Sequence, residues 1–133
     1  MTSNPSVSGS CLCGAVRFEL ELPAKWCAHC HCTMCQRAHG AAFVTWVGVD
    51  EAVLRLDDNS DCLSWFSSSD NAERGFCGRC GSTLFFKSQR WPGEIHVVRS
   101  NIVGNIDPEP QAHVYYDTHV SWFDVEDNLG KKP

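Results

Sequence analysis

The 133-residue chain has no apolar run approaching the ~20 residues a membrane-spanning helix needs. Its first ten residues are rich in Ser, Gly and Pro and lack the apolar stretch of a secretion signal, so a cytoplasmic protein is expected. Basic residues are scarce too. Eleven Lys and Arg stand against 16 Asp and Glu, the net charge is −5, and the only adjacent basic pair is Lys131-Lys132 near the end. Such a chain repels a phosphate backbone, which argues against a nucleic-acid partner, and nothing suggests a membrane partner. Internal repeats and low-complexity tracts are missing, and at this length one modest core is all the chain can bury.

Long segments with a 3.6-residue apolar period are also missing, whereas short β-type runs are frequent. Residues Ala15 to Leu22 alternate Val16, Phe18, Leu20 and Leu22 with Arg17, Glu19 and Glu21, the period-two pattern of a half-buried strand ended by Pro23. Further strands are expected over Phe43–Val49, Val53–Leu56, Cys62–Phe66, Leu84–Lys87, Ile95–Arg99 and Val114–Tyr116, separated by turn-formers such as Asp57-Asp58-Asn59-Ser60 and Trp91-Pro92-Gly93. One short helix fits Thr33 to His39, with Thr33 as N-cap and Gly40 as the stop. The reading is an all-β single domain over residues 11–127, with a loosely ordered leader at 1–10 and a tail at 128–133.

Against these shortages stand nine cysteines. An odd count leaves one thiol over from any disulfide framework, and a reducing compartment keeps thiols free for metal. Cys77-Gly-Arg-Cys80-Gly81 is a zinc knuckle by spacing: one tight turn aims two sulfurs at one ion, with Gly78 and Gly81 easing the backbone. Its missing two ligands are offered by Cys11-Leu-Cys13-Gly14, so a four-thiolate site would clip the first strand to the middle of the chain. The segment Cys27-Ala-His-Cys30-His-Cys32-Thr-Met-Cys35 holds more donors than one site needs. Cys32 and Cys35 enter the helix as C-x-x-C, and Cys30 precedes them on an extended segment, so these three would cap a metal from one side and leave a position open, as catalytic zinc requires. Cys27, His29 or His31 as a fourth ligand is the alternative. Cys62 reads as a core thiol.

Taken in order, Cys11-x-Cys13-Gly14, Cys30-His-Cys32-x-x-Cys35 and Gly75-Phe76-Cys77-x-x-Cys80-Gly81-Ser82 resemble the glutathione-dependent formaldehyde-activating enzyme and centromere protein V family. The likeness extends to Gly40-Ala-Ala-Phe43, His113-Val-Tyr-Tyr-Asp117 and Ser121-Trp122-Phe123. It implies a fold of antiparallel sheets, the β-tent, and two zinc ions: a structural one on Cys11, Cys13, Cys77 and Cys80, and a catalytic one on Cys30, Cys32 and Cys35. It further implies a carbon–sulfur lyase that reversibly adds a thiol such as glutathione to formaldehyde or a related aldehyde.

For the proton that such an addition must deliver, the candidates are His29, His31, His39, His113 and Asp117, and Arg37 is placed to hold a substrate carboxylate. Two other functions fit the same cysteines: a non-catalytic zinc scaffold, and a zinc or thiol sensor using Cys27 and Cys62 as spare thiols. The aldehyde, the thiol and the oligomeric state are left open by the sequence.

Overall fold

A computed structural model describes residues 5–133. Residues 1–4 of the expected leader lie outside the described residues. Among the described residues twelve strands form two sheets, with one α-helix, and no helix is long and apolar enough to cross a membrane. The smaller sheet has β1 (Ser6–Ser10), β2 (Arg17–Glu21), β5 (Leu54–Asp57) and β10 (Ile102–Val103) in the order β10-β1-β2-β5. The larger holds β3 (Trp26–Cys30), β4 (Val44–Asp50), β6 (Leu63–Ser69), β7 (Ala72–Cys77), β8 (Thr83–Ser88), β9 (Glu94–Val98), β11 (Ala112–Val114) and β12 (Gly130–Lys131), in the order β12-β11-β3-β4-β9-β8-β7-β6.

The period-two pattern explains how these layers stack. Phe18 and Leu20 of β2 meet Val47, Val49, Phe85, Ile95 and Val97 of the larger sheet in one buried cluster, with the Phe18 and Phe85 rings edge to face at 5.4 Å. Residues one position away on the same strands point to the other face. There Cys30, Val44, Trp46 and Val98 form a second core, with Trp26, Phe86 and Val114 around it. Strand β4 is covered on both faces, which is why its sequence is almost continuously apolar.

The helix α1 (Thr33–His39) contributes one buried residue, Cys35, to this second core. At seven residues it is too short to persist alone, so it depends on its caps and on that contact. Its N-cap is Cys32, not Thr33: extended backbone at Cys32 lets its Sγ accept from Cys35 N–H at 3.3 Å. Gly40 ends the helix at φ +60, a left-handed conformation that costs glycine nothing.

Several expectations need correction. Residues 6–10 of the expected leader form β1, paired along its length with β2, and Gly9 is required there because a Cβ would meet the Phe18 ring. Within the expected tail, Gly130–Lys131 pairs with β11. The β3–β11 and β11–β12 pairs are parallel, where an antiparallel arrangement was expected. Single turns of 3-10 helix at Glu51–Val53, Arg99–Asn101 and Tyr116–Thr118 add helical geometry away from Cys32.

Candidate functional site

Each of the two short motifs at the end of β1 and of β7 folds into the same small loop. Gly14 N–H donates to Cys11 C=O and Gly81 N–H to Cys77 C=O, with Gly14 at φ +79 and Gly81 at φ +82. The loops face each other, and the sulfurs of Cys11, Cys13, Cys77 and Cys80 all lie within 4.8 Å of one another. Cys11 and Cys13 are 3.6 Å apart and Cys13 and Cys77 3.8 Å. Four thiolates at ~2.3 Å from one tetrahedral ion would stand about 3.8 Å apart, so this donor set fits zinc. No cysteine is disulfide-bonded.

Backbone and hydroxyl groups surround several of these sulfurs. Val16 N–H points at Cys11 Sγ at 3.3 Å and Cys80 N–H at Cys77 Sγ at 3.5 Å. Ser82 accepts from Leu12 N–H at 2.9 Å and lies 3.2 Å from Cys80 Sγ, tying one loop to the other. The Ser82 hydroxyl and N–H draw the Cys80 thiol down to about 5.

A second group, Cys30, Cys32 and Cys35, lies on the opposite face of the larger sheet, in the second core. Cys30 comes from the end of β3, Cys32 from the helix cap and Cys35 from the first turn, and Cys30 and Cys35 Sγ are 3.6 Å apart. Hydrogen bonds from the Cys30 and Cys35 thiols draw Cys32 down to about 2, while the same cluster pushes Cys30 up. Negative charge is thus concentrated at the mouth of the helix. The spacing again fits zinc, but with three donors; among the described residues no fourth cysteine, histidine or carboxylate joins the group.

Cys27 is absent from it for a geometric reason. Three residues from Cys30 on the same strand, it projects to the other face and is 1% exposed in the first core, where burial pushes its thiol up. Cys62 is half-buried beside that core, its Sγ 3.6 Å from Ser60 C=O.

The same alternation separates most of the histidines from the three sulfurs. His29 is opposite His113 in the β3–β11 register, and the rings stack at 4.8 Å. His31 Nε2 lies 2.8 Å from His113 Nδ1, and His113 Nε2 2.8 Å from Asp127 Oδ2, forming a chain Asp127–His113–His31 that is fully buried at both histidines. Its evident role is to hold the Cys30–Cys32 loop: His31 N–H also donates to Val114 C=O, and its C=O accepts from Gln36 Nε2. Burial and the His113 charge hold His31 down to about 4. The carboxylate that joins the chain is Asp127, whereas Asp117 is exposed.

His39 alone of the named histidines packs on the thiolate face, against Trp46 at 5.3 Å and 2.8 Å from Thr83 Oγ1. Burial and the Arg74 charge hold it down to about 4, so it is neutral at pH 7.

Arg74 was not singled out by the sequence. It stands three residues before Cys77 on β7, so the rule that separates Cys27 from Cys30 sends it to the thiolate face, where Nη2 donates to Cys35 Sγ at 3.7 Å. Its guanidinium lies 5.0 Å from the centre of the Phe86 ring. Beside it opens a cavity of about 490 Å³ lined by Arg37 and Met34 of α1, Phe66 and Ser68 of β6, and Arg74 itself. A larger cavity of about 710 Å³, lined by Glu51, Lys87 and Glu94, is remote from both thiolate groups, and those three side chains are already in ion pairs.

The family model described as glutathione-dependent formaldehyde-activating enzyme matches residues 6–118. A Halomonas elongata protein named "putative glutathione-dependent formaldehyde-activating enzyme" is 28% identical over 127 residues, covering 90% of this chain and 81% of that protein. An uncharacterized lyase of Schizosaccharomyces pombe is 29% identical over 82 residues, 62% of this chain and 58% of that protein. A crystal structure of a Rhodobacter sphaeroides protein superposes with a TM-score of 0.62 at 27% identity, covering 74% of this chain and 89% of that one.

Proposed function

The chain belongs to the glutathione-dependent formaldehyde-activating enzyme family, and from that premise we propose that it is a zinc-dependent carbon–sulfur lyase that reversibly joins a thiol such as glutathione to formaldehyde or a related aldehyde. The observation that carries this reading is the inequality of the two sulfur groups. Four cysteines surround one position, three the other, and the group of three adjoins a cavity. A tetrahedral ion is satisfied by the first and is one ligand short at the second.

Zinc held by Cys30, Cys32 and Cys35 would supply a cation that favours an ionised thiol and polarises a carbonyl oxygen. The residues around it shape the rest. Arg74, donating to Cys35, offsets the negative charge that three thiolates gather. Trp46, Val98 and Phe86 wall the sulfurs on the sheet side and restrict water there. In the addition, the thiol sulfur forms a bond to the carbonyl carbon, the carbonyl π pair moves to oxygen, and the thiol proton ends on that oxygen. In the reverse direction the hydroxyl proton returns to sulfur as the carbon–sulfur bond breaks. His39, the named histidine on the thiolate face, is the candidate to pass that proton. Zinc at the other four cysteines would hold the two sheets together.

The test is exchange spectroscopy on zinc-loaded protein with ¹³C-formaldehyde and glutathione. Exchange between free aldehyde and hemithioacetal should exceed the buffer rate, and that excess should vanish in Cys32→Ser. Exchange no faster than in buffer would reject the enzyme reading and leave a zinc scaffold.

A further inference from the structure

Buried polar atoms in folded proteins almost always have a hydrogen-bond partner, so the exceptions point to something absent. Among the described residues the unpartnered buried side-chain atoms are Ser68 Oγ, Arg74 Nε and Arg74 Nη1. They come from neighbouring strands, β6 and β7, and both residues line the 490 Å³ cavity beside Cys35. Arg37, from the exposed side of α1, lines it as well, and no acidic residue does. Two guanidinium groups and a hydroxyl therefore face one space that no Asp or Glu lines, with only one nitrogen of Arg74 turned to the Cys35 sulfur.

We propose that this cavity is a carboxylate-binding subsite in which Arg37, Arg74 and Ser68 hold the acidic end of the substrate, making the enzyme selective for thiols that carry a carboxylate. The proposal rests on the thiol-addition reading and adds to it the substrate class and the residues that choose it. A carboxylate presents two oxygens in a plane, which the planar donor fork of arginine matches and a hydroxyl supplements. Arg74 links subsite and reaction centre through one side chain, because Nη2 is committed to Cys35 Sγ while Nε and Nη1 have no partner. A molecule anchored at its carboxylate would so have its sulfur directed toward the three cysteines. The apolar part of the lining, Met34, Phe66 and Phe76, suits the carbon chain between the two ends. Phe66 and Met34 are among the exposed large apolar residues, so their side chains are free to turn aside and admit the anion to the buried nitrogens.

Calorimetry on the zinc-loaded full-length protein tests this with four probes: glutathione, its diethyl ester, S-methylglutathione and the diethyl ester of S-methylglutathione. The acids should bind about 10-fold or more tighter than their esters, the ratio expected for a charge-assisted hydrogen bond. In Arg37→Gln and Ser68→Ala the ester affinities should stay and the ratio should fall toward one. Arg74→Lys, which keeps the charge and loses the fork, should lower it as well. Arg37 and Ser68 are peripheral to the cores, so these two variants remain informative if Arg74 variants fold poorly. S-methylglutathione cannot offer a thiolate, so its preference over its ester reports the subsite alone. If each acid binds no better than its ester, or if Arg37→Gln keeps the wild-type ratio, the subsite is overturned. If glutathione binds no tighter than S-methylglutathione while both acids outbind their esters, the thiol reading fails and the subsite stands.

Discussion

Cys27 and Cys30 belong to the same five-residue strand and point to opposite faces of it, so that one is enclosed in the first core and the other joins a thiolate cluster in the second. A pair spaced as C-x-x-C on a strand cannot behave like the same spacing in a turn, where Cys77 and Cys80 converge.

Cys27→Ala should consequently leave the zinc content of the purified protein unchanged and cost about 1 kcal/mol or a little more of stability, as a small core truncation does. Zinc content measured by plasma mass spectrometry alongside urea unfolding checks both parts. A loss of one zinc would place Cys27 among the ligands against the geometry.

Parity along strands also explains what could be read from the sequence and what could not. The strand at Ala15–Leu22 and the apolar run of β4 carry their faces openly, and the grouping of seven cysteines follows from local spacing plus one long-range closure. The strand at Ser6–Ser10 was missed because its residues are small and polar; it is defined by the neighbours on both sides, β2 and β10, and by the space Gly9 leaves for Phe18. Trp26–Cys30 is not among the expected strands, although Cys30 is expected on an extended segment, because its run of Cys and His shows no apolar alternation and its register with β4 lies outside any local motif. Arg74 and Asp127 carry no local signal: each meets its partner, Cys35 or His113, across 39 or 14 residues through pairings that no short motif records.

Gly48 is placed by the register directly opposite Trp26, and a Cβ on it would overlap the indole ring. The indole is held in turn by its N–H to Glu94 at 2.9 Å. Gly48→Ala should therefore destabilise the protein by about 1–3 kcal/mol through overpacking, with the second core loosened. Thermal melting together with Trp fluorescence tests it, and an unchanged melting temperature would contradict the packing described.

Acid should weaken the fold in a window set by His31. Its folded form resists protonation down to about 4, because it is buried beside His113, while the unfolded chain takes up that proton near 6.5. Between those values the unfolded state binds more protons, so stability falls as the pH is lowered from about 6.5 toward 4 and is regained on raising it. In His31→Gln the melting temperature should be lower at pH 7 and should fall less steeply between pH 7 and 5.5, a range that also limits competition from protons at the thiolates. A slope identical to wild type would show that His31 is not what the acid attacks.

The last prediction concerns the two sulfur groups, which should fail differently when one member is replaced. Cys11 and Cys13 follow β1 of the smaller sheet, and Cys77 ends β7 of the larger with Cys80 in the turn after it, so an ion among them joins segments 64 residues apart. Structural zinc binding is worth roughly 10–16 kcal/mol in small domains, against a net stability of ~5–15 kcal/mol for a whole fold. Cys80→Ser should therefore yield insoluble or unfolded protein. Cys30, Cys32 and Cys35 span only six residues, and the loop that carries them is held independently by His31, Val114 and Gln36. Serine at position 32 is itself a good N-cap, so Cys32→Ser retains the acceptor that Cys35 N–H requires and removes chiefly a metal ligand. That variant should stay folded, hold about half the zinc and lose exchange activity, while Cys32→Ala should be about 1 kcal/mol less stable than it for want of the cap. Zinc content, thermal melting and formaldehyde exchange, measured on all three variants, decide the matter. If Cys32→Ser unfolds as readily as Cys80→Ser, the second group is a structural clip, and the chemistry assigned to its open side has no foundation.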